Sequence, residues 1–502
     1  MRWKSGFVFA LMLGVAAPAV AHESAPETLA QITPEIDALF AKYQADAHIP
    51  GMVYGIVKDG KLAYVKGVGV QNLDDKRAVT VDSRFRIASM TKAFTALAIL
   101  KLRDDGKLHL DDLAEDHVPE MKGWVYPTTD SPRIRVRDLL HHVGGLVTDD
   151  PWGDRQQILP QDDFTRMIEA GVPFSRAPQS AFEYSNYGYA LLGRIIANAS
   201  GMAYTDYIQR TILIPLGMTS SGFDVTTTPK AHYARGYRWE NERWSPEPEM
   251  VDGAFNAMGG MQVSANDYAK WVSFLLSAWP PRDDADTGPV QRATVREMVQ
   301  GLNFMSVANR IGTSGASACK QAAAYAMGWR VAQDCDLGLT LAHGGGYPGY
   351  GSHVMLMPDH GVGVFALSNR TYAGPSAPAW DAAVAMDKAG LLTGRAQPVT
   401  PAVADAFAAA RAAYAAGNLA PLDGKLAMNF LMDRSAANWA AELARLRAEV
   451  GDCPTAEPLA PTGALSAAFR LNCDRGKLDG TLLLAPTSPT TVQALRFRVV
   501  TP

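Results

Sequence analysis

Ser89 and Lys92 stand three residues apart in the run Phe85-Arg-Ile-Ala-Ser-Met-Thr-Lys-Ala-Phe-Thr-Ala-Leu-Ala-Ile-Leu100. On a helix that spacing lets a hydroxyl and an amine meet on one side. A serine hydroxyl is a poor nucleophile at neutral pH unless an adjacent base takes its proton. A lysine serves as that base when burial or a nearby cation lowers its pKa. Phe94, Leu97, Ala98 and Leu102 give the expected helix a buried face, and the segment ends near Asp104-Asp105-Gly106. A helix start also offers free N–H groups that favour developing negative charge. Against this stands a plainer reading, a helix-capping serine followed by a solvated lysine.

Two further segments bear on the choice. Tyr184-Ser185-Asn186 precedes a helical pattern over 187–199, and a loop entering a helix holds its side chains firmly. An ordinary helix start has the same appearance. His343-Gly344-Gly345-Gly346-Tyr347-Pro348-Gly349-Tyr350 follows a strand pattern. Consecutive glycines let backbone come close to a ligand and present bare N–H groups, which an oxyanion hole requires. A glycine-rich turn between strands is the alternative. Tyr347 and Tyr350 either wall a pocket or pack, and Asp149-Asp150-Pro151-Trp152 reads as a loop, either beside the pocket or solvated. His141-His142, with His343, His353 and His360, match no zinc spacing, so no metal site is expected.

In this order, the three segments resemble the serine β-lactamase and penicillin-recognising superfamily, most closely its class C branch. That branch includes class C β-lactamases, D-alanyl-D-alanine carboxypeptidases, D-aminopeptidases and β-lactamase-like esterases. The class A form of the motifs has Ser-Asp-Asn second and Lys-Thr-Gly third; here Tyr184-Ser-Asn186 and His343-Gly-Gly345 stand in their places. Leu139-Leu-His-His-Val-Gly-Gly-Leu146 and Met258-Gly-Gly-Met-Gln-Val-Ser-Ala-Asn-Asp267 also look like the family, and the resemblance covers residues 33–385. It implies that Ser89 is the acylated nucleophile and Lys92 its proton acceptor. Tyr184 would shuttle a proton to the leaving group and then help activate water, and Asn186 would orient Lys92 and the substrate. The N–H groups of Ser89 and Gly346 would form the oxyanion hole, with His343, Gly344, Gly345 and Tyr347 binding substrate. The implied chemistry is a covalent acyl-enzyme, made and then hydrolysed, with no cofactor. His343 and Gly344 depart from the Lys and Thr or Ser that many members carry. A histidine is only partly charged at neutral pH and glycine has no hydroxyl to donate. The expected substrates are therefore a D-amino-acid peptide or a small ester rather than a β-lactam. The alternatives are a β-lactamase, or a penicillin-binding or peptidoglycan-sensing module with little turnover.

The elements that must position these groups are legible in outline. Met52 to Val70 reads as a hairpin around Lys58-Asp59-Gly60-Lys61. Helices are expected over 162–170, 187–199, 204–212 and 265–278, and strands over 327–333, 337–343, 353–357 and 362–368. Strands at both ends of a helical middle predict an α/β (α+β) fold, an antiparallel sheet flanked by helices plus a helical lobe. A seam at Gly394-Arg-Ala-Gln-Pro-Val-Thr-Pro401 divides a hydrolase domain, residues 22–394, from a small C-terminal α+β domain, residues 395–502. In the latter, helices over 402–416 and 435–450 precede strands over 465–473, 477–484 and 492–500.

Residues 1–21 read as a secretory signal: Arg2 and Lys4, an apolar run over 7–17, then Ala19-Val20-Ala21. No later segment is apolar enough to span a bilayer, so a periplasmic or secreted protein is expected. Removing the signal takes Arg2 and Lys4 from a chain of formal charge −4, which leaves nothing like the basic footprint of a nucleic-acid binder. The expected partner is a small-molecule or peptide substrate; the oligomeric state is not legible. Four cysteines in an exported chain favour two disulfides, and the local pairing Cys319–Cys335 with Cys453–Cys473 is preferred.

Overall fold

The computed structural model describes residues 28–311, 319–395 and 397–500, so the signal expected at residues 1–21 lies outside the described residues. The first hairpin forms as its turn signal requires: β1 (Gly51–Lys58) and β2 (Lys61–Asn72) are joined at Asp59-Gly60, with φ of 50° and 75°. Positive φ at both turn residues matches the right-handed twist of the strands they connect. A short β3 (Arg77–Ala78) pairs with β2. The remaining strands of this sheet come from far along the chain. They are β4 (Asn303–Asn309), β5 (Lys320–Tyr325), β6 (Arg330–Asp334), β7 (Gly338–Tyr347), β8 (Tyr350–Met357) and β9 (Val362–Ser368). The nine-stranded sheet runs β3-β2-β1-β9-β8-β7-β6-β5-β4 and is antiparallel throughout. β1 and β9 meet in its interior, with Met52 opposite Ser368 and Ile56 opposite Val364. The Cys319–Cys335 disulfide ties together the outer ends of β5 and β6.

Both faces of the sheet are covered, which explains why β1 is buried along nearly all its length rather than on alternate residues. One face carries α1 (Leu29–Asp46) and the late helix over Ser376–Lys388; Ile36, Phe40 and Trp380 pack there against Tyr54, Met355 and Val364. The other face carries α2 (Thr91–Asp104) and the helical lobe, including α3 (Gln161–Ala170), α4 (Asn186–Ser200) and α5 (Ala265–Leu276). α2 differs from the one-sided helix that its spacing predicts. Every residue from Thr91 to Leu100 is buried, so it runs through the core rather than along it.

Other departures are local. The strand expected from Met327 begins at Arg330, because Gly328 (φ 79°) turns the chain before it. The strand expected to stop at His343 continues through the glycines to Tyr347, so they belong to β7 and not to a turn. The helix expected over 204–212 is regular only to Ile208 and then widens into a π turn over Gln209–Leu213. From Pro401 onward the chain builds its own helices, over Pro401–Ala416 and Ala436–Val450, and a separate five-stranded antiparallel sheet. Ser435 caps the second helix by accepting from the Asn438 N–H at 3.3 Å. Tyr414, Trp439, Leu443, Leu446, Leu478 and Leu482 share one core there. The Cys453–Cys473 disulfide links the segment after that helix to the end of the strand over Ser466–Cys473. Among the described residues, no helix is long and apolar enough to cross a membrane.

Candidate active site

Ser89 lies in a single 3₁₀ turn, Ala88–Met90, that leads into α2, and its side chain makes no capping bond at the helix start. The residue before it, Ala88, has φ +49°, a left-handed conformation that a non-glycine residue adopts at a cost. The turn is wedged against β7. A Cβ on Gly345 would collide with Ser352 Oγ and the Ile87 carbonyl, so only glycine lets the strand seat this closely. Ser352 Oγ donates to the Ile87 carbonyl at 2.8 Å and fixes the contact.

One turn after Ser89, at the start of α2, Lys92 is fully buried, and its ammonium has three hydrogen-bond acceptors. Nζ lies 3.1 Å from Ser89 Oγ, 2.7 Å from Asn186 Oδ1 and 2.7 Å from the Met258 carbonyl. The rings of Tyr184 and Tyr189 lie 4.8 Å and 5.4 Å from the same nitrogen. Burial lowers the Lys92 pKa from 10.5 to about 8, against the opposing pull of Asp150, Asp154 and Asp149. The Tyr184 phenol shares a hydrogen bond with Ser89, and burial first, then the Asp150 charge, holds its pKa well above the ordinary value. Tyr184 is thus a neutral hydroxyl at physiological pH, able to pass a proton but not to act as a standing phenolate.

α4 begins one residue earlier than its pattern predicts, at Asn186, with Ser185 as cap accepting from the Gly188 N–H at 3.2 Å. Asp149 completes the helix start. Its two oxygens accept from the Asn186 and Tyr187 N–H groups at 2.6 Å and 2.9 Å, a favourable use of a carboxylate at a helix N-terminus. Asp150 Oδ1 accepts from Asn186 Nδ2 at 2.9 Å, which leaves Asn186 Oδ1 aimed at Lys92. The segment read as a loop beside the pocket or in solvent is therefore a short helical turn, Asp150–Gly153, packed on Asn186. A Cβ on Gly153 would lie 2.8 Å from that of Asn186.

His343 points toward the same centre and is neutral. Nδ1 donates to the Gly344 carbonyl at 2.6 Å, which in the neutral ring leaves Nε2 to accept from the Tyr325 hydroxyl at 2.9 Å. Burial, with the Lys92 charge, depresses its pKa to about 4. Gly344 leaves ordinary room for a side chain, its would-be Cβ being 3.7 Å from His353 Nδ1. β6 pairs with β7 only as far as Ala342, while β8 pairs with it to Tyr347. Among the described residues, 343–347 thus have one edge with no neighbouring strand. The two-residue loop Pro348-Gly349 makes Tyr347 and Tyr350 a hydrogen-bonded closing pair. Strict alternation then turns the N–H groups of Gly344 and Gly346 toward the open edge.

Ser89, Lys92, Tyr184, Asn186 and His343 therefore come together. Tyr347 does not join them as a substrate contact. It is 1% exposed, its hydroxyl is 3.6 Å from Met250 Sδ, and the Arg86 guanidinium lies 5.6 Å from its ring centre. Tyr350 is likewise packing, donating to the Ala234 carbonyl at 2.8 Å. Of the paired histidines, His142 supports the site: Nδ1 accepts from the Ser185 N–H at 3.1 Å and its ring lies 4.3 Å from that of Tyr184. Tyr325, Asp154 and Tyr372 carry no sequence signal. They reach the site only through the sheet register and through loops far apart in the chain.

The Beta-lactamase family model matches residues 36–387. Protein flp of Staphylococcus aureus (strain COL) is 32% identical over 343 residues, 67% of this chain and 62% of that protein. Beta-lactamase-like protein 2 of Dictyostelium discoideum is 32% identical over 291 residues, 55% of this chain and 52% of that protein. The chain thus spans somewhat under two thirds of the length of the staphylococcal relative. Among solved structures, the octameric penicillin-binding protein homologue from Pyrococcus abyssi superposes with a TM-score of 0.58 at 22% identity, covering 93% of this chain and 99% of that one. A class C beta-lactamase gives 0.57 at 21% identity, covering 73% and 98%. At these identities the two structures establish the shared fold.

Proposed function

The chain belongs to the beta-lactamase family, and from that premise we propose that it is an exported serine hydrolase that cleaves an amide or ester through an acyl-enzyme on Ser89. The observation that carries the proposal is Lys92. It is a fully buried amine 3.1 Å from the Ser89 hydroxyl, with a pKa brought down to about 8. In its neutral form Lys92 accepts the Ser89 proton as Oγ attacks the substrate carbonyl carbon. The carbonyl oxygen takes the negative charge and is met by the N–H groups of Ser89 and Gly346. As the intermediate collapses, the bond to the leaving group breaks and Tyr184 relays the proton from Lys92 to it. Water, activated by the same pair, then attacks the ester and returns the proton to Ser89. Asn186 holds Lys92 in line, and Asp149 and Asp150 hold Asn186.

The substrate we favour is a D-amino-acid peptide or a small ester. A neutral His343 and a bare Gly344 supply neither charge nor hydroxyl for a substrate carboxylate. Residues 395–502 are proposed as a separate domain that sets where or in what assembly the enzyme works, and residues 1–21 as the signal that directs it to the periplasm or beyond. A second reading, a penicillin-binding module with little turnover, is supported by the name of the Pyrococcus relative. One experiment separates the two. The mature chain is incubated with a p-nitrophenyl ester, a D-alanyl peptide and a chromogenic cephalosporin, following product and intact mass. Turnover that disappears in Ser89→Ala is expected. A persistent adduct on Ser89 without turnover would favour the binding module, and turnover that survives Ser89→Ala would overturn the mechanism.

A further inference from the structure

Tyr372, in the loop after β9, has φ +55°, a backbone region that bulky L-residues avoid. Its side chain is about half exposed, at 49%, so burial of the ring does not explain why the strain is kept. The ring is nonetheless held in place. The Tyr372 N–H donates to the Tyr350 carbonyl at 3.1 Å, and the hydroxyl shares a hydrogen bond with the Asp154 carboxylate. Asp154 ends the Asp150–Gly153 turn and is almost fully buried, and in the proposed reaction it acts only through its charge on Lys92. Between these anchors the ring lies over Gly346. A Cβ at position 346 would be 2.8 Å from Tyr372 Cδ1, so a ring in this place demands glycine beneath it. Tyr372 and Asp154 thus bridge from the β7 side of the site to the wall that carries Asp149 and Asp150.

The direction of a bound substrate follows from where the protons are. The leaving group must face its proton donor, Tyr184, whose ring lies 6.4 Å from that of His343. With the carbonyl oxygen at the Gly346 N–H, the other substituent of the carbonyl, the acyl side, runs the opposite way, toward Tyr347 and the bridge. We infer that Tyr372, braced by Asp154, is the residue that sets acyl-side specificity, admitting compact acyl groups and turning away long ones. The inference rests on the acyl-enzyme reading above and adds to it the class of substrate the site accepts.

The test compares kcat/KM for p-nitrophenyl acetate and p-nitrophenyl hexanoate in the full chain. Tyr372→Gly removes the ring and suits the left-handed backbone, so this variant is expected to fold. Its hexanoate-to-acetate ratio should rise at least about tenfold over that of the unsubstituted chain, the scale on which a pocket wall discriminates chain length. Tyr372→Phe, which keeps the ring and loses the bridge, should raise the ratio by less. An unchanged ratio in Tyr372→Gly overturns the inference while leaving the acyl-enzyme intact. An unsubstituted chain that neither hydrolyses the esters nor gains an acyl mass on Ser89 overturns the acyl-enzyme reading, and this one with it; if it acylates without turnover, the same ratio is read from the two acylation rates.

Discussion

Replacing Asp150 by asparagine should move the pH at which Lys92 becomes a base, by an amount the geometry allows to be worked out. Burial sets the Lys92 pKa at about 8, and the charges of Asp150, Asp154 and Asp149 keep it from falling further. Asp150 reaches the amine across a single amide, accepting from Asn186 Nδ2 at 2.9 Å while Asn186 Oδ1 accepts from Lys92 at 2.7 Å. That puts the carboxylate about 7 Å from the ammonium, where unit charges interact by about 2 kcal/mol at an effective dielectric of ~20. Asp150 is exposed, and screening reduces the effect to about 1 kcal/mol, or roughly 0.7 of a pH unit. The sign is fixed: removing an anion disfavours the ammonium, so the pKa falls. About one tenth of Lys92 is neutral at pH 7 in the natural chain, and roughly one third would be in Asp150→Asn. The asparagine carbonyl can still accept from Asn186, so the alignment is preserved. The assay is kcat/KM for a p-nitrophenyl ester from pH 6 to 9.5, corrected for spontaneous hydrolysis. The expected result is an acidic limb displaced downward, with about a threefold gain at pH 7 and convergence above pH 9. A limb that stays in place or moves upward would refute Lys92 as the base.

Three further outcomes are expected. His343→Lys with Gly344→Thr restores a cation and a hydroxyl on the β7 edge, and should raise the rate at which a chromogenic cephalosporin acylates Ser89, followed by intact mass; no gain would mean that the edge does not decide β-lactam recognition. Gly345→Ala forces a methyl against Ser352 and Ile87, which should cost about 1–3 kcal/mol and lower the melting temperature. Gly344→Ala, with 3.7 Å to its nearest neighbour, serves as the comparison, and equal melting of the two would contradict the packing argument. Opening the Cys319–Cys335 bridge, whose cysteines are 16 residues apart, should cost about 3 kcal/mol; melting curves that coincide for the Cys319→Ser, Cys335→Ser variant and the natural chain would count against it.

How much of this was legible beforehand depends on the range of the interaction. The Ser89–Lys92 contact is local, three residues on one helix, and the spacing alone predicts it. The Asp59-Gly60 hairpin and the Ser435 cap are local in the same sense. The glycine run was recognisable as a backbone approach site, but its place inside a strand was not, because glycines punctuate turns as readily as they permit close packing. β5 was hidden for a related reason: Lys320-Gln-Ala-Ala-Ala-Tyr325 is rich in alanine, which favours helix. Sheet register therefore conceals the partner that decides the His343 protonation state, Tyr325. Asp149 stood next to a recognisable motif, but nothing in Asp149-Asp150 says that its oxygens will cap a helix 37 residues later.

The meeting of β1 and β9 inside the sheet also bears on the order of assembly. Gly51 donates its N–H to Asn369 Oδ1 at 2.7 Å, a bond spanning 318 residues. At about 5–20 residues per second, a ribosome needs on the order of tens of seconds to supply the second strand after the first. Until then the hairpin has an unpaired edge along β1. Closure of the sheet is therefore a late step of assembly, and a fold that depends on such distant pairing condenses slowly.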